Sequence, residues 1–168
     1  MKWITHQATA VAAALALHLP VAGVAAACAG AVLPDVLDQR MAGLAPTKRG
    51  RQKLFNAIHR GTTHWFGWWL VLCAAAFALP GPELGPMGRD VLLGLGFGGL
   101  SHVILDMLTP SGVPLTPFSR SNKVSLKLCS TGSLGEYCFL VCVVGLVWWF
   151  YGADLLKVTR QLAHMKIL

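Results

Sequence analysis

Residues 91–112 read VLLGLGFGGLSHVILDMLTPSG. An apolar, glycine-rich run of this length predicts a helix that crosses a membrane, because a spanning helix needs about 20 predominantly apolar residues. The run ends in a histidine and a carboxylate, His102 and Asp106. These two residues share one face of a helix because they are four positions apart. Ionisable groups at membrane depth are costly and are usually paired or functional, so the stretch also predicts a polar site at the helix end.

The composition of the whole chain indicates a membrane protein. Of its 168 residues, 55% are hydrophobic and 12% are charged, whereas soluble domains are about 45–50% apolar and about 25% charged. The net charge is +7. In a membrane protein such an excess of Lys and Arg usually lies in cytoplasmic loops, which face anionic lipid. No nucleic-acid-binding motif accompanies this charge, so we expect no nucleic-acid partner. The five cysteines form no CxxC pair, and most lie in apolar runs, where cysteine behaves as a small hydrophobic residue.

Four apolar regions stand out, at residues 8–33, 65–79, 91–108 and 137–151. The first is interrupted by His18-Leu19-Pro20, and proline breaks or kinks a helix. This region is therefore either one kinked span or a hairpin of two short helices, roughly Thr5–Leu17 and Val21–Leu33.

The distribution of Lys and Arg favours the hairpin. Residues 34–64 and 109–134 carry nine of the 14 Lys and Arg residues, which leaves five on the other side if the first region spans once. In a hairpin Lys2 joins the nine, giving ten against four, which agrees better with the positive-inside rule. We predict an all-α, integral membrane helical protein with a single domain over residues 1–168. It has about five helices, including the short N-terminal hairpin.

The glycines of the central run formally spell a GxGxxG motif at residues 94–99. No strand precedes them, as a dinucleotide-binding loop would require. We interpret them as small residues at close helix–helix contacts in a membrane.

The ionisable side chains at the ends of the apolar regions form the candidate site. On the hairpin topology they all emerge at one membrane face: His6, Asp35, His59, His64, His102, Asp106 and Glu136. Three or more converging His and Asp/Glu side chains are the usual ligands of zinc, and two adjacent sets suit phosphoryl transfer. We therefore predict a divalent metal site, with zinc as the favoured ion and one to three ions bound.

Two residues of this region have predicted catalytic roles. Arg60 carries a planar guanidinium that matches phosphate oxygens and can stabilise their charge. Glu136 is either a further ligand or the base that takes a proton from water. We expect His18, Asp38, Asp154 and His164 to be dispensable.

Each candidate also has a structural interpretation. His102 and Asp106 suit a buried pair that fixes helix packing. The segment from His59 to His64 suits a basic loop that ends in a threonine helix cap. Glu136 suits a helix N-terminus, where the helix dipole favours a carboxylate.

At these residues the sequence resembles the YdjM-like inner-membrane metal-dependent hydrolases of bacteria. The most specific matches are HRGTTH at residues 59–64 and SHVILDMLTPSGVPL at residues 101–115, and weaker ones include Thr5-His6 and Leu33-Pro34-Asp35. The resemblance implies a multi-pass protein of the bacterial inner (cytoplasmic) membrane, similar in pattern to zinc-dependent phospholipase C and single-strand nucleases. The family commonly has Pro-Asp-x-Asp-His, whereas residues 34–39 read PDVLDQ.

We therefore expect a membrane-embedded zinc-dependent hydrolase that cleaves a phosphoester in a lipid or lipid-linked substrate. The alternative is a non-enzymatic membrane protein whose metal or ion-pair cluster is structural or binds a partner. A third reading is an acyl-ester or amide hydrolase that uses the same metal. The sequence does not separate these ester types and does not fix the oligomeric state.

Overall fold

The computed structural model describes residues 1–79 and 81–165, and for residues 81–83, 120 and 153–165 it describes the backbone alone. Within these residues it has seven α-helices and one two-stranded sheet. The elements are α1 (Trp3–Ala16), α2 (Val21–Gly30), α3 (Leu33–Gly43), α4 (Lys48–Ile58), α5 (Phe66–Ala78), α6 (Gly81–Met107), β1 (Val113–Thr116), β2 (Ser119–Val124) and α7 (Leu134–Met165). A single 3-10 turn, Thr62–His64, precedes α5.

The predicted count of about five helices was wrong, because residues 34–64 form two further helices instead of a loop. α3 carries Pro34 in its first turn, where proline is tolerated because its missing N–H has no partner in the helix. α4 begins after Thr47, whose side chain accepts a hydrogen bond from the Gly50 amide at 3.0 Å. Both helices are polar, so the apolar-run criterion did not find them.

A β-hairpin is the second departure from the all-α prediction. β1 and β2 pair antiparallel, with Val113 opposite Val124. Val113 is buried against Trp69 and Val103, which fixes one end of the hairpin on α5 and α6. The indole of Trp65 donates a hydrogen bond to the Leu115 carbonyl at 3.0 Å, so the hairpin lies beside the start of α5.

The predicted N-terminal helical hairpin is present as α1 and α2. The chain reverses at residues 17–20, where His18 takes a positive φ of 54°. This reversal brings the start of α1 beside the start of α3, which follows α2: the Trp3 indole donates to Asp35 Oδ2 at 2.8 Å. His6 and Asp35 therefore lie at the same end of the helices, as the hairpin topology predicted.

Among the described residues, two helical segments are long and apolar enough to cross a membrane, Leu84–Met107 and Leu134–Gly152. α2 and α3 meet at a bend of 48° and would add a third crossing if they formed one broken span. α5 is apolar but has only 13 residues, fewer than the roughly 17–25 of a spanning helix. The four apolar regions are thus helical, and two of them have spanning length.

Glycines on α6 bring its backbone against two neighbouring helices. A Cβ atom at Gly94 would lie 2.1 Å from the Gly23 carbonyl oxygen, and one at Gly98 would lie 2.2 Å from the Ala27 oxygen. On another face, a Cβ at Gly99 would lie 2.0 Å from the Trp69 ring. These spacings leave no room for any side chain, so the interpretation of the glycines as close helix contacts is confirmed.

We expect Gly98→Ala to destabilise the protein by about 1–3 kcal/mol, because an overpacked contact must move backbone. Gly145→Ala is the matched control, since nothing lies within 4 Å of a Cβ there. Thermal unfolding of the two purified variants in detergent measures the difference. Equal melting temperatures for Gly98→Ala and wild type would contradict the close α2–α6 contact.

Candidate metal centre

Histidine and aspartate side chains, most of them buried, converge where α1, α3 and α6 meet the 3-10 turn. They form three overlapping groups, and within each group the potential ligand atoms lie within 4.8 Å of one another. The groups are His6, His102 and Asp106; Asp35, His64 and His102; and Asp38, His59 and His64. Six of the predicted ligands are thus brought together from four separate parts of the chain.

Two imidazoles and two carboxylates form the middle of the cluster. His64 Nε2 lies 3.2 Å from His102 Nε2. These two nitrogens lie 3.4 and 3.7 Å from Asp35 Oδ1, and both lie 3.7 Å from Asp106 Oδ2. Ligands about 2.0–2.1 Å from a tetrahedral zinc ion are separated by about 3.3–3.4 Å. The observed separations are close to this value, as expected of atoms that share one small cation.

Hydrogen bonds on the outer nitrogens orient both imidazoles. His102 Nδ1 lies 2.7 Å from the Ala31 carbonyl oxygen, which can only accept, so Nδ1 carries the proton. His64 Nδ1 lies 3.0 Å from the Thr63 hydroxyl, which itself donates to Asp38 Oδ1 at 2.6 Å. In both rings Nε2 is left with a lone pair toward the centre, which is the arrangement typical of metal-binding histidines.

Several atoms of the cluster are buried without a hydrogen-bond partner among the described residues: His6 Nδ1, His6 Nε2 and Asp35 Oδ1. The His6 ring stacks on His102 at a centroid distance of 3.9 Å, and its Nε2 lies 3.5 Å from Asp106 Oδ1. Buried polar atoms are normally paired, and leaving them unpaired is unfavourable. A divalent cation would satisfy Asp35 Oδ1 or one of the two His6 nitrogens, so the donor set fits a metal. Nitrogen and carboxylate donors are among the ligands that zinc takes in proteins.

Arg60 is the principal cationic side chain in contact with Asp106. Its Nε lies 3.0 Å from Asp106 Oδ2, and its Nη2 donates to Oδ1 at 3.1 Å. Nη1 donates to the Thr109 hydroxyl at 2.8 Å. The Met1 amino group also donates to Asp106 Oδ1 at 2.9 Å. A guanidinium has five N–H groups, so two remain beyond these three contacts and can meet a phosphate.

Glu136, predicted as a further ligand or as the base, lies outside the three groups of potential ligands. Its Oε1 accepts hydrogen bonds from the Lys2 amide and, at 2.8 Å, from the Thr5 hydroxyl, and its Oε2 accepts from the Gly132 amide at 2.6 Å. It therefore joins the starts of α1 and α7. The neighbouring Lys2 side chain donates to the Tyr137 hydroxyl, and this bond raises the pKa of Lys2.

Asp38 belongs to the cluster, although the sequence analysis treated it as dispensable. It is 1% exposed, and its Oδ2 lies 3.1 Å from His59 Nδ1 and accepts from the Arg60 amide at 3.3 Å. The spacing of Asp38 from Asp35 indicates in the sequence that Asp38 belongs to the site, because residues three apart share a face of a helix. That signal was missed because α3 was not predicted.

The fold and the site together define a helical membrane protein with a buried histidine–aspartate centre at one end of its spans. The sequence model of the YdjM inner membrane protein family matches residues 1–162, and the chain belongs to this family. The predicted family resemblance is thereby confirmed.

Curated relatives match a shorter part of the chain. The inner membrane protein YdjM of Escherichia coli (strain K12) and that of Shigella flexneri are each 48% identical to it over 59 residues. This stretch is 34% of the present chain and 29% of each relative, so less than a third of each relative is covered. No solved structure matches the chain.

We expect purified protein to bind a divalent metal, and His102→Ala to lose at least one equivalent of it, because His102 belongs to two of the three groups. His18→Ala is the control, since His18 is an exposed histidine at the α1–α2 turn. Metal content per chain, measured by mass spectrometry of the elements, provides the test. A wild-type protein as poor in metal as His102→Ala would refute the metal centre.

Proposed function

We propose that this chain is a multi-pass membrane hydrolase that uses a divalent cation, with zinc favoured by the donor set, to cleave a phosphoester in a lipid or lipid-linked substrate. The observation that carries the proposal is that the Nε2 atoms of His64 and His102 lie 3.2 Å apart and that each lies 3.4–3.7 Å from an oxygen of Asp35 and of Asp106. Two of these residues lie in the last two turns of a helix long enough to span the membrane.

The position of the centre supports a lipid substrate. Asp106 is next to the last residue of the candidate span Leu84–Met107. The end of a spanning helix lies at the level of the lipid headgroups, where phosphoesters are found. The α4 helix, which carries Lys48, Arg49, Arg51 and Lys53, adds positive charge on this side of the molecule.

An open polar pocket of about 430 Å³ adjoins the cluster and supports a phosphoester. Its lining includes two cationic side chains, Arg60 and Lys123, and two neutral hydrogen-bonding ones, Asn56 and Ser111. Guanidinium and ammonium groups are the side chains that proteins use to bind phosphate oxygens. His59 lines the same pocket, so the pocket and the cluster share a wall.

The residues of the site have distinct roles in this proposal. When bound, zinc supplies hydroxide at neutral pH by lowering the pKa of its water to about 7. Arg60 orients Asp106 through two contacts and uses its remaining N–H groups to stabilise charge on the phosphate. His59, with Nδ1 3.1 Å from Asp38, delivers a proton to the departing alcohol. Glu136 has no role in this scheme, since its carboxylate is engaged by Lys2, Thr5 and Gly132.

The non-enzymatic alternative has one observation in its favour. Asp106 is already contacted by Arg60 and by the Met1 amino group, so its oxygens are well supplied with protein partners. Structural zinc sites take all their ligands from the protein, whereas catalytic ones keep an open position. In that case these ion pairs, or a cation ligated by the protein alone, would hold α1, α3 and α6 together without turnover.

We expect zinc-loaded protein in lipid nanodiscs to release headgroup products from phosphatidylglycerol, phosphatidylethanolamine or phosphatidic acid, as measured by mass spectrometry. Chelation and His102→Ala should abolish release, and His18→Ala should not. A protein that binds zinc stoichiometrically, melts at lower temperature after chelation and releases no product from any of these lipids would instead support the structural role.

We further expect His59→Gln to lower kcat by about 10²–10⁴-fold, the usual contribution of a positioned acid or base. Metal content should stay at the wild-type level, because His102, His64 and both central carboxylates are unchanged. If His59→Gln loses metal in proportion to its loss of activity, His59 is a ligand and not a proton donor.

A further inference from the structure

We infer that the seam between α1 and α7 binds one acyl chain of a membrane lipid. This lipid is taken to be the one whose phosphoester reaches the metal centre, an assignment that rests on the proposed function. The inference comes from a groove that lies along the two helices and begins one turn away from His6.

The groove has a volume of about 510 Å³ and is bordered almost entirely by apolar side chains. Its lining includes Ala12, Ala13 and Ala16 of α1 and Val143, Leu146 and Val147 of α7. The polar Thr9 lies at the end nearest the metal centre, and its hydroxyl already donates to the Thr5 carbonyl at 2.8 Å. The groove therefore offers hydrocarbon contact and almost no free hydrogen-bonding groups.

Hydrogen bonds between the two helices hold the seam at both ends. Near the metal centre the Thr5 hydroxyl donates to Glu136 at 2.8 Å. At the far end the Tyr151 hydroxyl donates to the Leu15 carbonyl oxygen at 3.0 Å. Between these contacts the alanine side chains are too small to fill the space between the two helices. The unfilled space runs from Thr9 to Ala16, about 10 Å at 1.5 Å per residue.

The size of the groove favours an acyl chain over a helix from another protein. A helix with side chains is about 10–12 Å across, so a segment about 10 Å long occupies on the order of 1,000 Å³. The groove is half that volume. A single hydrocarbon chain is far narrower, and the length of the groove lies within one leaflet, whose hydrocarbon layer is about 15 Å thick.

Charge at the near end of the groove suits the phosphate of the same lipid. The exposed Lys2 ammonium hydrogen-bonds to the Tyr137 hydroxyl and lies 4.9 Å from the centre of the Tyr137 ring. Thr5, which closes this end, is adjacent in sequence to His6 of the metal cluster. A lipid with its tail in the groove would therefore have its phosphate at the level of Lys2 and His6.

The test uses phosphatidylglycerol with a photoreactive diazirine in one acyl chain, in nanodiscs of phosphatidylethanolamine and phosphatidylglycerol. We expect cross-links in peptides that contain residues 9–16 and 143–151. Val143→Trp should fill the groove and lower this labelling at least tenfold. Val144→Trp is the matched control, because Val144 is 54% exposed and does not line the groove, so labelling should stay within twofold of wild type.

A second pair of variants on α1 guards against misfolding of the first. Ala13→Phe should reduce labelling in the same way, and Val11→Phe, on the other face of α1, should not. Wild-type labelling in both groove-filling variants would overturn the inference.

The metal-centre variant separates this inference from the proposed function. His102→Ala should lose metal and hydrolysis but keep the acyl label, because the groove does not contain His102. The wild-type protein could instead prove to bind no metal and to hydrolyse nothing, while its acyl label is still blocked by Val143→Trp. That result would overturn the proposed function and still support an acyl-binding seam.

Discussion

The contact between His102 and the end of α2 is the interaction on which the site depends. His102 reaches the Ala31 carbonyl oxygen at 2.7 Å because α6 lies in backbone contact with α2. Gly94 and Gly98 make that approach possible, since a methyl group at either would collide with an α2 carbonyl. The bond fixes the proton on Nδ1 and turns Nε2 toward His64. The glycines and the candidate metal ligands on α6 are therefore parts of one arrangement.

The buried negative charge of the cluster's carboxylates is compensated by neighbouring groups. Asp38 and Asp106 are 1% and 2% exposed, and an isolated ionised carboxylate at such depth would be strongly unfavourable. Arg60 helps both, through its amide to Asp38 and its guanidinium to Asp106. It does so from a left-handed backbone conformation with φ of 56°. A non-glycine residue keeps such a conformation only when its surroundings hold it, and functional sites are where this usually occurs.

The polar and apolar parts of the molecule meet at the start of α1. His6 belongs to the cluster, while Thr5 and Thr9 face the seam with α7. Little of the apolar segment Leu134–Gly152 of α7 is buried within the protein, so packing alone explains little of its position. Its bonds through Glu136 and Tyr151 leave a narrow apolar groove beside the end that carries Lys2 and the histidine–aspartate cluster. An amphiphile with an anionic head and a hydrocarbon tail matches both parts.

The sequence by itself determined the helical membrane character, the N-terminal hairpin and most of the cluster. Local rules suffice there: apolar length, a proline break, charge bias, and the spacing of His102 and Asp106. It did not determine α3 and α4, because polar helices lack a long apolar run. From the sequence, Glu136 was predicted as a site residue and Asp38 was not, since chain spacing does not tell which carboxylate points inward. Only the tertiary structure decided that, because the path of α3 places Asp38 beside Thr63 and His59 whereas Glu136 is held by the start of α1.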